Sequence, residues 1–176
     1  RDTKLENHHG GPTPAHIEAW LAAATVLVLG CGGVGSNCIE ALARGGVGHF
    51  IILDKDIVAP SNINRQAIAF HSTIGQRKVD VMEAMIHDIN PAATVIKRTD
   101  YILSENTDEF FNSVLEQAGG KIDYVVDAID TISAKLSIAL YAQEHDLRLV
   151  SSMGGGNSFI PNACTSPISS RPFATP

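Results

Sequence analysis

A glycine-rich stretch that directly follows a short apolar run constrains the fold of this chain most strongly. Thr25–Leu29 is apolar and partly β-branched, as in a fully buried parallel strand, and it ends at Gly30. Gly30, Gly32 and Gly35 match the Gly-x-Gly-x-x-Gly pattern. Its glycines permit a tight turn, close approach of a phosphate to the backbone, and close packing of a helix on a strand. The stretch therefore predicts a nucleotide-binding β-α-β unit.

The residues after the glycines complete this unit. A helix is expected over 35–43, and Gly45-Gly46 is a suitable left-handed stop. The next strand, His49–Leu53, leads into Asp54, at the position, about 20 residues after the turn, where a ribose-binding carboxylate usually lies. Asp56 lies on the same face if the chain stays extended.

Helical and strand patterns alternate through the rest of the chain. Helices are predicted over 14–23, 75–89, 105–118 and 133–144, and strands over 93–97, 123–126 and 147–151. This alternation predicts an α/β fold, a Rossmann-like, mostly parallel twisted sheet with helices on both faces.

Composition limits the class of protein. With 176 residues, 44% of them hydrophobic, and a net charge of −6, the chain can form the core of one domain. It has neither a long apolar run nor a signal-peptide layout, so a cytoplasmic location is expected. The acidity disfavours a broad nucleic-acid surface, although a local basic patch could contact RNA. Cys31, Cys38 and Cys164 form no C-x-x-C pair, and Cys31 and Cys38 are interpreted as packing residues.

The two ends differ from the middle, which suggests three segments. Residues 1–13 are expected to be a flexible arm, in which His8 and His9 are more typical of a solvated tail than of a metal site. Residues 14–157 form the predicted nucleotide-binding domain. Residues 158–176 are rich in Pro, Ser and Thr without periodicity. They are expected to contribute little to the core, as a truncated or frame-shifted end or as an arm around a partner subunit.

Polar residues after the second strand have no apolar stripe to explain them. Asn62, Asn64, Arg65 and Gln66 follow Pro60-Ser61 in a predicted loop. They could be a solvated loop, but ligands of open α/β sheets bind at this edge. Lys78 lies in the first turn of the next helix, against the preference of the helix dipole, so either a nearby anion explains it or its position is incidental.

Four aspartates are expected at the carboxyl ends of neighbouring strands: Asp54, Asp56, Asp127 and Asp130. Asp127 could simply end its strand, and Asp130 could cap the following helix. Together they suggest a Mg²⁺ site, because this ion prefers oxygen ligands shared with substrate phosphates.

Six motifs occur in a specific order: Gly-x-Gly-Gly-x-Gly-Ser, Leu-Asp-x-Asp, Ser-Asn-x-Asn-Arg-Gln, Gly-Gln-x-Lys, Ile-Asn-Pro and Asp-Ala-Ile-Asp. In this order and spacing they resemble the ubiquitin-activating-type (ThiF/MoeB-like) adenylating enzymes. Within that family, the chain looks most like the bacterial tRNA threonylcarbamoyladenosine dehydratases. The resemblance covers residues 21–156.

The resemblance implies an ATP site and assigns roles to its residues. The implied ATP-binding residues are Gly30, Gly32, Gly33, Gly35, Asp54, Asn62, Arg65, Gln66 and Lys78. Asp54 would hold the ribose, Asn62 would contact the triphosphate, and Asp130 would hold Mg²⁺. Arg65, Lys78 and Asp130 would be the catalytic residues.

The implied activity is ATP-dependent adenylation of a carboxylate. In the dehydratases, the substrate would be tRNA bearing threonylcarbamoyladenosine, whose activated carboxylate closes on its own side chain. The family also implies a homodimer and an arginine supplied by the partner subunit. Since the family continues well beyond the fifth strand, this chain is expected to lack the family's C-terminal half.

Three other functions remain open from the sequence. One is adenylation of the C-terminus of a ubiquitin-like sulfur-carrier protein, in a system with a cysteine desulfurase. Another is an NAD-binding dehydrogenase, which a glycine motif alone would favour. The last is a remnant that binds nucleotide without turnover.

Overall fold

The computed structural model describes residues 13–152, in which helices and strands alternate. The strands are β1 (Thr25–Leu29), β2 (His49–Leu53), β3 (Thr94–Arg98), β4 (Tyr124–Asp127) and β5 (Leu149–Ser151). The helices are α1 (Pro14–Ala23), α2 (Gly33–Arg44), α3 (Lys78–Ile89), α4 (Thr107–Gln117) and α5 (Ile132–Glu144), with a 3-10 turn at Pro60–Asn62. Several sequence predictions lie outside the described residues. They concern His8, His9, Cys164, all but the last residue of the predicted arm, and the whole predicted tail.

The five strands form one parallel sheet in the order β3-β2-β1-β4-β5. Leu27 at the centre of β1 pairs with Ile51 of β2 and with Val125 of β4. Every residue of β1 after the first is buried, as expected for a strand that is covered on both faces. The predicted Rossmann-like α/β fold is confirmed.

Alternate residues of the central strands enter two cores, one on each face of the sheet. The first core joins Val26, Val28, Phe50 and Ile52 to Ile39 of α2 and to Val79, Met82 and Ile86 of α3. The second core joins Leu27, Leu29, Ile51 and Leu53 to Phe110, Phe111 and Val114 of α4 and to Ile138 and Tyr141 of α5. The two cores hold α2 and α3 on one face and α4 and α5 on the other.

Glycines end two of the helices as the sequence predicts. Gly46 follows α2 with φ +91°, and Gly119 and Gly120 follow α4 with φ +69° and +88°. Several predicted boundaries differ by one to three residues, and the start of α3 is one of them. Helix α3 begins at Lys78 rather than at Gly75, because Gly75 has φ +85° and Arg77 pairs with Ile57 in an isolated antiparallel bridge.

The strand order positions a crevice at the carboxyl end of β1. The connection from β1 to β2 covers one face of the sheet, and the helices around β4 cover the other. Ligands of open α/β sheets bind at such a point, where the strand order reverses. Within residues 13–152, none of the helices has the length and apolar character required to cross a membrane.

We expect Phe111→Ala to destabilise the protein by about 3–5 kcal/mol, because it removes a large aromatic side chain from a close-packed core. Phe111 is 0% exposed, and its ring stacks on Tyr141 with centroids 4.3 Å apart. Phe70→Ala is the matched control, since Phe70 is 54% exposed. Urea unfolding measures both variants, and equal losses would contradict this description of the core.

Candidate functional site

A cavity of about 610 Å³ lies at the carboxyl edge of the sheet. It is lined by the glycine turn, by the residues that follow β2 and β3, by the loop before α3, and by the loop between β4 and α5. Predicted site residues among its walls are Gly30, Gly32, Gly33, Asp54, Asn62, Arg65, Gln66, Lys78 and Asp130. The fold thus brings together residues that are up to 100 positions apart in the sequence.

The glycine turn connects β1 to α2 with very little space. Gly30 has φ +96°, and its N–H donates to Leu53 O over 2.7 Å. A Cβ on Gly35 would lie only 1.8 Å from Gly30 O. Gly32 precedes α2 without a side-chain cap, so N–H groups of the first helical turn remain available at the cavity. Such a helix start binds anions, because its free donors and its dipole both favour negative charge.

Asp54 shapes this turn in addition to lining the cavity. Its Oδ2 accepts from the Cys31 N–H over 2.8 Å, and its Oδ1 accepts from the Asp56 N–H over 2.8 Å. The carboxylate therefore fixes the chain on both sides of the cavity floor. The sequence indicated the position of Asp54 but not these two bonds.

Lys78 is a buried cation between two carboxylates. Its side chain is 7% exposed, and Nζ lies 3.0 Å from Asp56 Oδ2 and 3.8 Å from Asp54 Oδ2. A buried ammonium needs such partners, because its desolvation is otherwise costly. The sequence analysis left open whether a nearby anion explains the position of Lys78. The structure shows two such anions, the carboxylates of Asp54 and Asp56.

Three polar residues of the loop before α3 line the cavity. Asn62 is buried, and its Oδ1 accepts from the Ala59 N–H over 2.9 Å. Arg65 donates through Nη1 to Ser61 O and to Asn64 Oδ1, over 3.0 and 2.9 Å. Gln66 is buried, and its Oε1 has no hydrogen-bond partner among the described residues. Buried polar atoms are normally paired, so the Gln66 oxygen has capacity for a ligand or water.

Two residues of α2 that the sequence analysis did not select hold this loop in place. Ser36 is buried, and its Oγ donates to Gly32 O over 2.6 Å and accepts from the Ala67 N–H over 3.0 Å. Asn37 donates through Nδ2 to Gly33 O and to Arg65 O, over 2.6 and 3.2 Å. The glycine turn and the arginine loop are therefore one connected structure. In the sequence, only the presence of Ser36 at the end of the glycine motif indicated that this position could matter.

The four aspartates that suggested a metal site do not form one cluster. In the described part of the chain, no three acidic, histidine or cysteine side chains converge on a possible ion position. Asp54 and Asp56 face Lys78, whereas Asp127 is fully buried beside Lys135. Asp130 lines the cavity, is exposed, and has no ion pair or side-chain hydrogen bond within residues 13–152. Asp130 is also not the cap of α5, since that position belongs to Thr131.

The far wall of the cavity is formed by residues after β3 that the sequence analysis did not select. Tyr101 is exposed, and the Lys55 Nζ lies 3.8 Å from its ring centroid. Asp100 accepts from Arg98, which lowers the pKa of the Asp100 carboxyl. Asp100 therefore carries a fixed negative charge at neutral pH. No local motif marks these residues, because only the parallel pairing of β3 with β2 brings them to the cavity.

The two cysteines among the described residues have little thiolate character. Burial is the main cause that raises the pKa of the Cys31 thiol far above its usual range, and the Asp54 carboxylate adds to it. Burial also raises the pKa of the Cys38 thiol. Since the thiolate is the nucleophilic form, these values agree with the interpretation of both residues as packing groups.

Comparison with known proteins identifies similar sequences and structures. The sequence model of the ThiF family matches residues 15–161. A tRNA threonylcarbamoyladenosine dehydratase of Bacillus subtilis is 46% identical over 80% of this chain and 53% of its own length. A ubiquitin-like modifier-activating enzyme 5 of Bombyx mori is 34% identical over 69% of this chain and 32% of its own.

A solved structure is similar in fold over the same region. The E. coli tRNA N6-threonylcarbamoyladenosine dehydratase in complex with ATP superposes with a TM-score of 0.72 at 34% identity. The match covers 82% of this chain and 57% of that one. This chain spans about half the length of the first curated relatives that it matches.

We expect Gly35→Ala to destabilise the protein by about 3 kcal/mol, near the upper end of the usual cost of overpacking, because its Cβ would overlap the Gly30 carbonyl. Gly32→Ala is the control, since a Cβ there meets no atom within 4 Å and its φ is −78°. Thermal and urea unfolding measure both variants. If Gly35→Ala is as stable as Gly32→Ala, the close approach in this turn does not exist.

Proposed function

Because the chain belongs to the ThiF family, we propose that it binds ATP in this cavity and adenylates a carboxylate. The observation that supports this most directly is the convergence of phosphate-binding groups on one cavity. The free helix start at Gly32, the Arg65 side chain and the buried Lys78 all line it. A dinucleotide such as NAD would need only the glycine turn for its two phosphates. The additional cations, Arg65 and Lys78, fit the greater negative charge of a triphosphate.

Each polar group is proposed to take one part of the nucleotide. The glycine turn would hold phosphate oxygens through backbone N–H groups, and Asp54 would accept from the ribose hydroxyls. Asn62, Arg65, Gln66 and Lys78 would contact the triphosphate. Arg65 offers a planar fork of donors, and Lys78 offers a compact charge held ready between Asp54 and Asp56.

A magnesium ion fits the charges of the site. The cavity walls carry four aspartates, Asp54, Asp56, Asp100 and Asp130, against three cations, Lys55, Arg65 and Lys78. Because the positive charges of the walls do not outnumber the negative ones, they cannot by themselves neutralise a triphosphate, which needs an accompanying cation. Mg²⁺ typically binds one or two carboxylates together with substrate phosphates. Asp130 can serve, because it is exposed and has no ion pair within residues 13–152, whereas Asp56 and Asp100 are paired with Lys78 and Arg98. When bound, the ion would neutralise charge on the phosphates.

The chemistry then needs positioning and charge stabilisation rather than a protein nucleophile. A carboxylate oxygen of the substrate attacks the α-phosphorus, the bond from the α-phosphorus to its bridging oxygen breaks, and pyrophosphate leaves with the electron pair. Lys78 and Arg65 would stabilise the charge that develops on phosphate oxygens. A nucleophilic atom of the same substrate can then attack the activated carbonyl and lose its proton, while the bond from the acyl carbon to the phosphate oxygen breaks and AMP leaves with the electron pair.

The proposed substrate is threonylcarbamoyladenosine in tRNA. Similar proteins from Bacillus subtilis and E. coli carry that dehydratase name, and the E. coli structure contains ATP. Cyclisation of this substrate would use the adenylate step described above. A homodimer that acts in the cytoplasm belongs to the same proposal. The alternative substrate, the C-terminus of a sulfur-carrier protein, would use the same first step and differ only in the carboxylate presented.

We expect ATP with Mg²⁺ to stabilise the fold and NAD to leave it unchanged. A ligand at 100 times its Kd should add about 2.7 kcal/mol to the free energy of unfolding. Thermal-shift titrations measure both ligands. Stabilisation by NAD together with no response to ATP and Mg²⁺ would overturn the proposed ATP site.

We expect Asp130→Asn to weaken Mg²⁺-dependent ATP binding while metal-free ATP binding stays unchanged, because it removes the proposed metal ligand and keeps the side-chain size. Where exchange of pyrophosphate into ATP is measurable, its rate should fall by about 100-fold or more. Asp88→Asn, at an exposed site of α3, is the matched control. Calorimetry with and without Mg²⁺ tests this, and an unchanged magnesium effect in Asp130→Asn would remove Asp130 from the metal site.

A further inference from the structure

A buried ion pair lies beside the cavity and has no part in the chemistry proposed above. Asp127, the last residue of β4, is 0% exposed, and the Lys135 Nζ lies 2.8 Å from its Oδ2. The Lys135 side chain is only 10% exposed. Neither residue lines the cavity.

Two further groups donate hydrogen bonds to the Asp127 carboxylate. The Ser151 hydroxyl donates to Oδ2 over 2.6 Å, and the Ile129 N–H donates to Oδ1 over 3.2 Å. The Ser152 N–H donates to the Asp127 carbonyl oxygen over 2.9 Å, which ties the end of β5 to the same point. Asp127 therefore joins β4, β5 and α5.

The ion pair connects the two ends of the loop that carries Asp130. Asp127 precedes the loop, residues 128–131, and Lys135 lies in the first turn of α5 after it. Their bond closes the loop across its base. We name this set, Asp127, Lys135 and Ser151, the loop clamp.

The position of this loop also sets its contact with the glycine turn. A Cβ on Gly30 would lie 3.0 Å from Ala128 O and 3.4 Å from Ile129 Cγ2. The Ala128 N–H donates to Leu29 O over 2.9 Å. One end of the loop thus touches the turn, and Asp130 follows two residues after Ala128.

Stability alone is a weak reason for such a pair. Replacing a buried ion pair by apolar residues is often neutral or stabilising, because burial costs both charges their hydration. A charged pair with defined hydrogen bonds does fix one geometry, which an apolar pair of the same volume does not require. The fixed geometry here is that of the loop carrying the proposed metal ligand.

We propose that Lys135 is a positioning residue, which acts through Asp127 to hold Asp130 at a fixed distance from the glycine turn. This inference rests on the proposed function for the role of Asp130 toward Mg²⁺. The existence of the loop clamp does not depend on the proposed function. Partners that orient a metal ligand typically change metal affinity by about 10–100-fold when they are lost.

The first test uses the protein without ligand. Lys135→Met should increase the amide exchange rate of Ile129 by about tenfold or more, because the carboxylate that accepts its N–H loses its main partner. Ser151→Ala removes one hydrogen bond without leaving a charge unpaired, so it should change exchange in the same direction by less, in a protein that still folds. Lys121→Met is the matched control. Lys121 pairs with Asp123 at 2.6 Å but is 73% exposed and lies at the opposite end of β4.

The second test measures the Mg²⁺ concentration for half-maximal effect on ATP binding. Lys135→Met and Ser151→Ala should raise it, the former by about tenfold or more, while metal-free ATP affinity changes little. Lys135→Arg, which keeps the charge, should recover much of the loss. Lys121→Met should behave as the wild type in both measurements.

The two tests distinguish failure of the clamp from failure of its positioning role and from failure of the proposed function. Wild-type exchange at Ile129 in both Lys135→Met and Ser151→Ala would overturn the clamp. Faster exchange with an unchanged Mg²⁺ requirement would overturn the positioning role and leave a purely structural pair. If the wild type does not bind ATP, the proposed function fails, and the exchange measurement still decides whether the clamp controls the loop.

Discussion

The close contact between the glycine turn and the first helical turn is the constraint on which the site depends. A side chain at Gly35 would overlap the carbonyl of Gly30. Without one, α2 can begin almost directly after β1. The start of that helix then points into the crevice at the sheet edge, where its unpaired N–H groups meet the cavity. Ser36, one residue further on, fixes the loop that carries Arg65 against the same turn.

Charge pairing inside the protein determines which groups remain for a ligand. Asp54 and Asp56 hold Lys78 in its buried position, and Asp127 is fully engaged by Lys135. Each pair satisfies charges that would otherwise be costly to bury. Asp130 is left exposed on a loop whose two ends are tied together. Among the described residues, the four aspartates therefore divide into three whose carboxylates face a lysine and one, Asp130, whose carboxylate does not.

The sequence predicted the order and type of every α-helix and strand among residues 13–152, although not the 3-10 turn at Pro60–Asn62. It was less accurate at element ends. Residue 75 was expected to begin α3, but its left-handed conformation and the pairing of Arg77 with Ile57 delay the helix to Lys78. Helix α2 begins at Gly33, two residues earlier than expected, because the tight turn is complete by Gly32. Ends depend on such non-local contacts, whereas the apolar period within an element does not.

For the site, the sequence by itself indicated most of the polar residues after β1, β2 and β4 that line the crevice, but not those after β3. Parallel strands end at one edge of the sheet, so the residues directly after β1, β2 and β4 must meet there. Only the tertiary structure decided their partners. Whether a carboxylate faces Lys78, Lys135 or solvent depends on distances of a few ångströms between segments far apart in the chain, which no local pattern encodes. For this reason the four aspartates looked equivalent in the sequence and differ in the fold.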